Sequence, residues 1–257
     1  MEIRYGKWGA EVELLAGGEA LTPLYLTRVR NAVESGSSSS DCLKSFLMTE
    51  SAAPWSGRHL EKDALRQEIW AVLKQQRATR RDPVGHIPNF VGAEMAADRL
   101  ASLPVWQQAQ VIKCNPDSPQ VPVRLRALQA GKTLYMAVPR LTRSRCFVEL
   151  TAADLQARNI PLEEAAFARK ALRVGRKVSF SEMPPIDLVV VGCVAVSAAG
   201  GRTGKGAGFA DLELAMLQSF HLVQPETPVV TTVHSLQIVE NSRLPMQPHD
   251  WALDWII

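Results

Sequence analysis

The sequence predicts an α/β protein, a three-layer α/β/α sandwich built on a mostly parallel sheet. Two observations carry this reading: short apolar runs rich in Val and Ile recur along the chain, and stretches of helical period separate them. Strands that are apolar along their whole length need cover on both faces, and helical crossovers supply that cover. The composition agrees. Of 257 residues, 46% are hydrophobic and 21% charged, which excludes fibrous and wholly disordered chains.

Taken in order, residues 1–57 read as an N-terminal extension, expected to be poorly ordered: a flexible arm, a plastid- or organelle-type leader, or a misplaced start. Ser35 to Ser40 reads SGSSSS, and Gly17-Gly18, Pro23 and Pro54 flank it without a sustained period. Such a stretch buries too little apolar surface to offset its ordering entropy. Glu2, Glu11, Glu13 and Glu19 make it a poor transit peptide, and with charges throughout Met1 to Ala20 in place of an apolar signal core neither secretion nor membrane insertion is expected. An α/β domain over 58–257 follows. It opens on a basic amphipathic helix from Leu60, with Leu65, Ile69, Val72 and Leu73 inward and Lys62, Arg66, Lys74 and Arg77 on the polar side. A second helix runs from Phe90 to Leu103 through Met95, Ala97 and Leu100, with Pro104 ending it. Strands are expected at Ala109 to Lys113, Thr133 to Val138, Asp187 to Val196, Pro228 to Val233 and Leu253 to Ile257. Helices fit between them at Pro122 to Ala130, Leu162 to Leu172 and Asp211 to Phe220.

Charge and cysteine usage narrow the function. The 29 Lys and Arg against 26 Asp and Glu leave a net charge of +3, short of the basic excess of a nucleic-acid coat, while anionic small molecules stay open as partners. No apolar run reaches the ~20 residues that cross a bilayer. The four cysteines, Cys42, Cys114, Cys146 and Cys193, lie far apart and form no CxxC pair, so neither a zinc site nor a disulfide framework is indicated. A cytoplasmic, reducing setting is expected, with no nucleic acid and no membrane as partner.

The most informative segment is Gly200-Gly201-Arg202-Thr203-Gly204-Lys205-Gly206-Ala207-Gly208-Phe209-Ala210-Asp211, which follows the strongest strand and opens a helix. Glycines at 204, 206 and 208 permit positive φ and turn N–H groups toward one point. Arg202, Lys205 and the helix N-terminus add positive charge, which suits a phosphate chain. The spacing matches neither a P-loop nor the dinucleotide fingerprint. A mobile connection with Asp211 as helix N-cap is the other reading of the same residues. Lys62 and Arg66, at i and i+4, share a helix face: they either meet one polyphosphate or form a solvated face balancing Glu61, Asp63 and Glu68. His249-Asp250 reads as a hydrogen-bonded pair rather than a metal site. His234 and Ser235, adjacent in an expected strand, would point to opposite faces, which sets serine hydrolysis aside. Trp106, Trp251 and Trp255 read as packing, and Arg77, Arg80 and Arg81 as a solvated loop.

The stretch from Gly201 to Asp211 resembles the signature of 5-formyltetrahydrofolate cyclo-ligases, in which Arg-x-Gly-x-Gly-x-Gly-Tyr-Tyr-Asp precedes a helix. Lys62 and Arg66 match the Lys-x-x-x-Arg of that family's first helix. Ile186 to Gly192 looks like its central strand, and His234 through Gln237 with Pro245, His249, Asp250 and Asp254 looks like its closing stretch. The resemblance spans about Leu60 to Ile257. It implies an enzyme of ligase type that uses ATP and Mg2+ to convert 5-formyltetrahydrofolate to 5,10-methenyltetrahydrofolate, or a related reaction in one-carbon metabolism. It implies Arg202 and Lys205 as catalytic cations, Lys62, Arg66, Gly204, Gly206, Gly208, Phe209 and Asp211 as the nucleotide site, Asp211 as the magnesium ligand, and a folate as the small-molecule substrate of a monomer or small homo-oligomer. Departures from the pattern cluster on the folate side. The tyrosine pair is Phe209-Ala210, Pro-Gly is Val191-Gly192, Phe-Asp is Val196-Ser197, and Asn115 to Pro122 holds Asp117 but no glutamate. The pattern is closer to the divergent branch of methenyltetrahydrofolate synthetase domain-containing proteins, for which a non-catalytic nucleotide-binding paralogue is the alternative.

Overall fold

The computed structural model of the chain describes residues 3–4, 59–138, 145–247 and 250–257. The expectation for residues 1–57 falls outside these, apart from Ile3–Arg4 (β1), which pairs antiparallel with Trp255–Ile256 (β11).

Five parallel strands form the centre of the main sheet: Val111–Cys114 (β2), Thr133–Ala137 (β3), Leu188–Val190 (β6), Val229–Thr231 (β9) and β11. Phe147–Leu150 (β4) and Arg176–Val178 (β5) extend it antiparallel beyond β3, giving the order β1-β11-β9-β6-β2-β3-β4-β5. The α/β/α reading holds, because both faces are covered. Alternation along β3 and β6 sends Leu134, Met136, Leu188 and Val190 to one face, under helices Ala93–Ser102 (α2), Pro104–Gln108 (α3) and Val121–Gln129 (α4). Helices Ala152–Ala157 (α5), Leu162–Ala165 (α6) and Ala168–Val174 (α7) complete that layer. Tyr135, Ala137 and Val189 face the other way, against Leu214 and Leu217 of Phe209–Ser219 (α8).

Several sequence expectations are corrected. β4 and β5 were not anticipated, because β5 is a charged edge strand whose Arg176 and Lys177 are exposed, the composition that protects an edge. Pro104 does not merely stop a helix; it sits in the first turn of α3, where its missing N–H costs nothing. The run from Asp187 to Val196 is two strands, since β6 ends at Val190 and Ala195–Ser197 (β7) enters a second sheet with Arg202–Thr203 (β8) and Ile238–Val239 (β10). Between them the Gln237 side chain donates to the carbonyls of Cys193 (2.9 Å) and Val194 (3.2 Å) in place of a strand partner. Ser235 lies in a short 3-10 turn capped by His234 rather than in a strand. Asp187 and Asp254 pin strand starts: each accepts backbone N–H bonds, from Gln110 and Val111 (2.8 Å each) and from Val229 (2.8 Å) respectively.

Gly175, which ends α7, has no room for a side chain: a Cβ would lie 2.9 Å from the Ala171 carbonyl and 3.0 Å from Val148 Cβ. A Gly175→Ala variant should therefore lose about 1–3 kcal/mol in urea unfolding, the scale of overpacking. Unchanged stability would show that β4 and α7 yield freely. Among the described residues no helix is long and apolar enough to cross a membrane.

Candidate functional site

The site begins with one helix face. In Leu60–Gln75 (α1), Lys62, Arg66, Ile69 and Leu73 follow one another at helical spacing, and all are buried. The apolar end of this stripe, with Leu65 and Trp70, packs on Val194, Ala195, Val239 and Leu244 around the small sheet. That docking carries the charged end to β8 and the glycine loop. Arg66 donates to Thr203 Oγ1 at 2.6 Å and to the Gly204 carbonyl at 3.4 Å, while its second nitrogen pairs with Asp63 at 2.5 Å. Lys62 pairs with Asp250, and both side chains are 10% exposed. Lys62 and Arg66 are therefore not a solvated face, although Arg66 does balance Asp63; Lys74 in the last turn of α1 and Arg77 just past it stay exposed.

The loop itself takes the strained geometry that glycine tolerates. Gly206 has φ +100° and Gly208, the N-cap of α8, has φ +64°; Gly204 stays outside the positive-φ region. Asp211 is not the N-cap; it lies in the first turn. A Cβ on Gly206 would stand 3.2 Å from Arg66 Nη2 and 3.3 Å from its Cζ, whereas one on Gly204 would meet nothing within 4 Å. The Arg66 guanidinium therefore lies directly over Gly206, with open space beside Gly204.

The remaining predicted residues fall into two groups. Arg202, 3% exposed, donates to the Trp251 carbonyl (2.7 Å) and pairs with Asp211. Asp211 Oδ1 also accepts the Trp251 N–H at 3.0 Å, so both bonds fall on one oxygen. Lys205 reaches across to Asp117 Oδ1 at 3.2 Å, joining the glycine loop to the loop after β2. Phe209 is 45% exposed at the start of α8. His249 lies outside the described residues. Asp250 accepts from Lys62 and from the Gln247 N–H at 2.7 Å.

Beneath the site lies a buried polar network that sequence reasoning missed. Lys113 on β2 is fully buried and ion-pairs with Glu213 of α8 at 2.7 Å, and its hydrogen bond goes to Asn115 Oδ1 at 2.6 Å. Burial pushes the Glu213 carboxyl above the ordinary 4.5, against the opposing pull of Lys113. Arg124 of α4 is likewise fully buried; it grips the carbonyls of Asn115, Asp117 (3.1 Å) and Ala166 (2.7 Å). Two cations thus hold the loop that presents Asp117. The only sequence signal was a Lys inside an otherwise apolar strand and an Arg at a core position of a helix.

The residue types present are ones that could hold a magnesium nucleotide, with Lys62, Arg66, Arg202 and Lys205 each paired with a carboxylate. Arg66 of α1 meets the glycine loop just before the N-terminus of α8, and among the described residues Asp211 Oδ2 carries no hydrogen bond. Magnesium takes one or two carboxylates with phosphate oxygens, so it needs no ligand cluster of its own; among the described residues none of three or more His, Cys, Asp or Glu occurs. Burial pushes the thiols of Cys114 and Cys193 up to about 11, which leaves neither as a nucleophile near neutral pH.

The sequence model of the 5-formyltetrahydrofolate cyclo-ligase family matches residues 58–257. The chain belongs to that family. Among cyclo-ligase relatives, the methenyltetrahydrofolate synthase domain-containing proteins of Bos taurus and Homo sapiens are 39% and 38% identical over 200 residues, 77% of this chain. The chain spans about half the length of these relatives, 52% of each. An NMR structure of Aquifex aeolicus 5,10-methenyltetrahydrofolate synthetase overlays with a TM-score of 0.45 at 18% identity, over 77% of this chain and 90% of that one. The cyclo-ligase family is one of folate-related ligases, and the match takes in α1, the glycine loop and the Asp117 loop.

Proposed function

We propose that this chain is an ATP- and Mg2+-dependent ligase that closes 5-formyltetrahydrofolate to 5,10-methenyltetrahydrofolate, or performs a related nucleotide-dependent reaction in one-carbon metabolism, in the cytoplasm. The observation that carries this is the Arg66 guanidinium held over Gly206 by Thr203 and Asp63. Lys62, Arg66, Lys205 and the loop N–H groups would hold the phosphates, and Asp211 the magnesium. ATP supplies the phosphoryl group that makes the formyl oxygen a leaving group. The chain's own part is positioning and charge neutralisation, because phosphoryl transfer is served by cations around the oxygens more than by a protein nucleophile. Arg202, braced by Asp211 and the Trp251 carbonyl, fixes the entry to the loop. Lys205 exchanges Asp117 for a phosphate oxygen, and Asp117 is released toward the substrate.

The test is calorimetric titration with ATP and magnesium; no binding at millimolar concentration would remove this reading. Replacing Lys62 or Arg66 by Ala should weaken ATP by about 1–3 kcal/mol, the scale of a charge-assisted bond, and leave adenosine unchanged. Equal losses for both ligands would place α1 outside the site. The Arg66 variant should also melt at a lower temperature, since Arg66 is 4% exposed and ties α1 to Thr203.

A second reading is a non-catalytic nucleotide-binding paralogue with a sensing or partner-binding role. It is favoured by Phe209-Ala210 in place of the tyrosine pair, with Phe209 left exposed. ATP-dependent formation of the near-ultraviolet band of methenyltetrahydrofolate decides between the two.

A further inference from the structure

Two glutamines of this chain are buried to the same degree and treated in opposite ways. Gln237, 1% exposed, uses its whole carboxamide: Nε2 donates to Cys193 and Val194, and Oε1 accepts from His234 N–H at 2.9 Å. Gln120, with no exposure, has among the described residues a partner for neither Nε2 nor Oε1. It is the N-cap residue of α4, yet its side chain makes no capping bond. A buried amide left unpaired costs stability, and each such group calls for an explanation.

Its surroundings supply one. Gln120 lies beyond the carboxyl ends of the parallel strands β2 and β6, the edge where open α/β sheets bind ligands. A Cβ on Gly192, just past β6, would meet Gln120 Oε1 at 3.0 Å, Ile87 Cγ2 at 3.0 Å and Asp117 Oδ2 at 3.1 Å. The carboxamide, the carboxylate and the Ile87 methyl therefore close against the Gly192 backbone, which has no room for a side chain. The other oxygen of Asp117 pairs with Lys205 of the glycine loop, while the Arg124 guanidinium is taken up by the carbonyls of Asn115, Asp117 and Ala166 and by Cys114. A donor and an acceptor on one amide beside a carboxylate oxygen form a planar-edge recognition set.

We propose that Gln120 determines substrate specificity, its carboxamide reading a donor–acceptor edge of a planar nitrogen heterocycle seated beside Asp117. This rests on the folate-type substrate proposed above. Admitting the ring requires the buried Ile87 side chain to give way at Gly192, and Arg124 holds Asp117 from behind through its backbone carbonyl.

The experiment compares the whole chain with its Gln120→Leu and Gln120→Glu variants, by thermal melting and by calorimetry with 5-formyltetrahydrofolate and, separately, with ATP and magnesium. Leu removes two unpaired polar atoms at similar size, so Gln120→Leu should melt about 2–4 °C higher. It should bind 5-formyltetrahydrofolate about tenfold or more weaker, while ATP affinity stays within about twofold. Glu keeps the acceptor and loses the donor, so heterocycle binding should again fall. A Gln120→Leu chain that binds the folate as the parent does, or that is less stable or unfolded, overturns the proposal, as does a parent chain that binds ATP but not the folate. Failure of the parent to bind ATP instead overturns the nucleotide reading on its own.

Discussion

A Gly206→Val variant is expected to fold and to lose nucleotide binding by about a hundredfold or more. Two costs add. Gly206 sits at φ +100°, where a β-branched residue is strained by about 1–3 kcal/mol. Its Cβ would also stand 3.2 Å from Arg66 Nη2, so the methyl groups push the guanidinium off the loop and remove a charge-assisted bond worth about 1.5–3 kcal/mol. The loop lies outside the two large apolar clusters that cover the main sheet, which is why the fold should survive. Calorimetry with ATP and magnesium, alongside circular dichroism, reads both halves. A folded variant with unchanged ATP affinity would make the loop a mere connection.

The largest effect on stability is expected at Lys113. A Lys113→Met variant leaves Glu213, 5% exposed, without its counter-charge, and breaking one partner of a buried pair costs about 3–5 kcal/mol. The cost should depend on pH with a definite sign. Burial raises the Glu213 carboxyl above 4.5, so the folded state binds this proton more tightly than the unfolded state. The stability that protonation contributes is therefore complete below the unfolded value and lost as pH rises through the folded one. With Lys113 gone nothing opposes the rise, so urea unfolding should show a smaller loss at pH 5 than at pH 8. A loss independent of pH would mean that Glu213 is solvated in the variant. The double variant Lys113→Met, Glu213→Leu removes both charges and should recover most of the stability, because an apolar pair of similar volume carries no desolvation cost.

How much was legible in the sequence follows from the range of each signal. The parallel strands β2, β3, β6, β9 and β11 were readable because each is an apolar, β-branched run bounded by turn residues. The glycine loop was readable because positive φ demands glycine locally, and Gly206 and Gly208 take it. What the sequence by itself determined was therefore the layered α/β class, the loop that suits an anion, and Lys62 and Arg66 sharing a helix face. The tertiary structure decided everything that depends on contacts between distant segments. It split the run from Asp187 to Val196 between two sheets, since the Gln237 side chain takes over the carbonyls of Cys193 and Val194. It buried two cations of a basic stripe, since α1 docks on the small sheet and Lys62 pairs with distant Asp250 while Arg66 pairs with Asp63, whereas Lys74 and Arg77 stay exposed. It also set Asp117 against Lys205, and Lys113 against Glu213, pairs whose members lie about ninety to a hundred residues apart. Such pairings leave no mark on local periodicity, because hydrogen bonds and charges act over a few ångströms in space, whatever the separation along the chain.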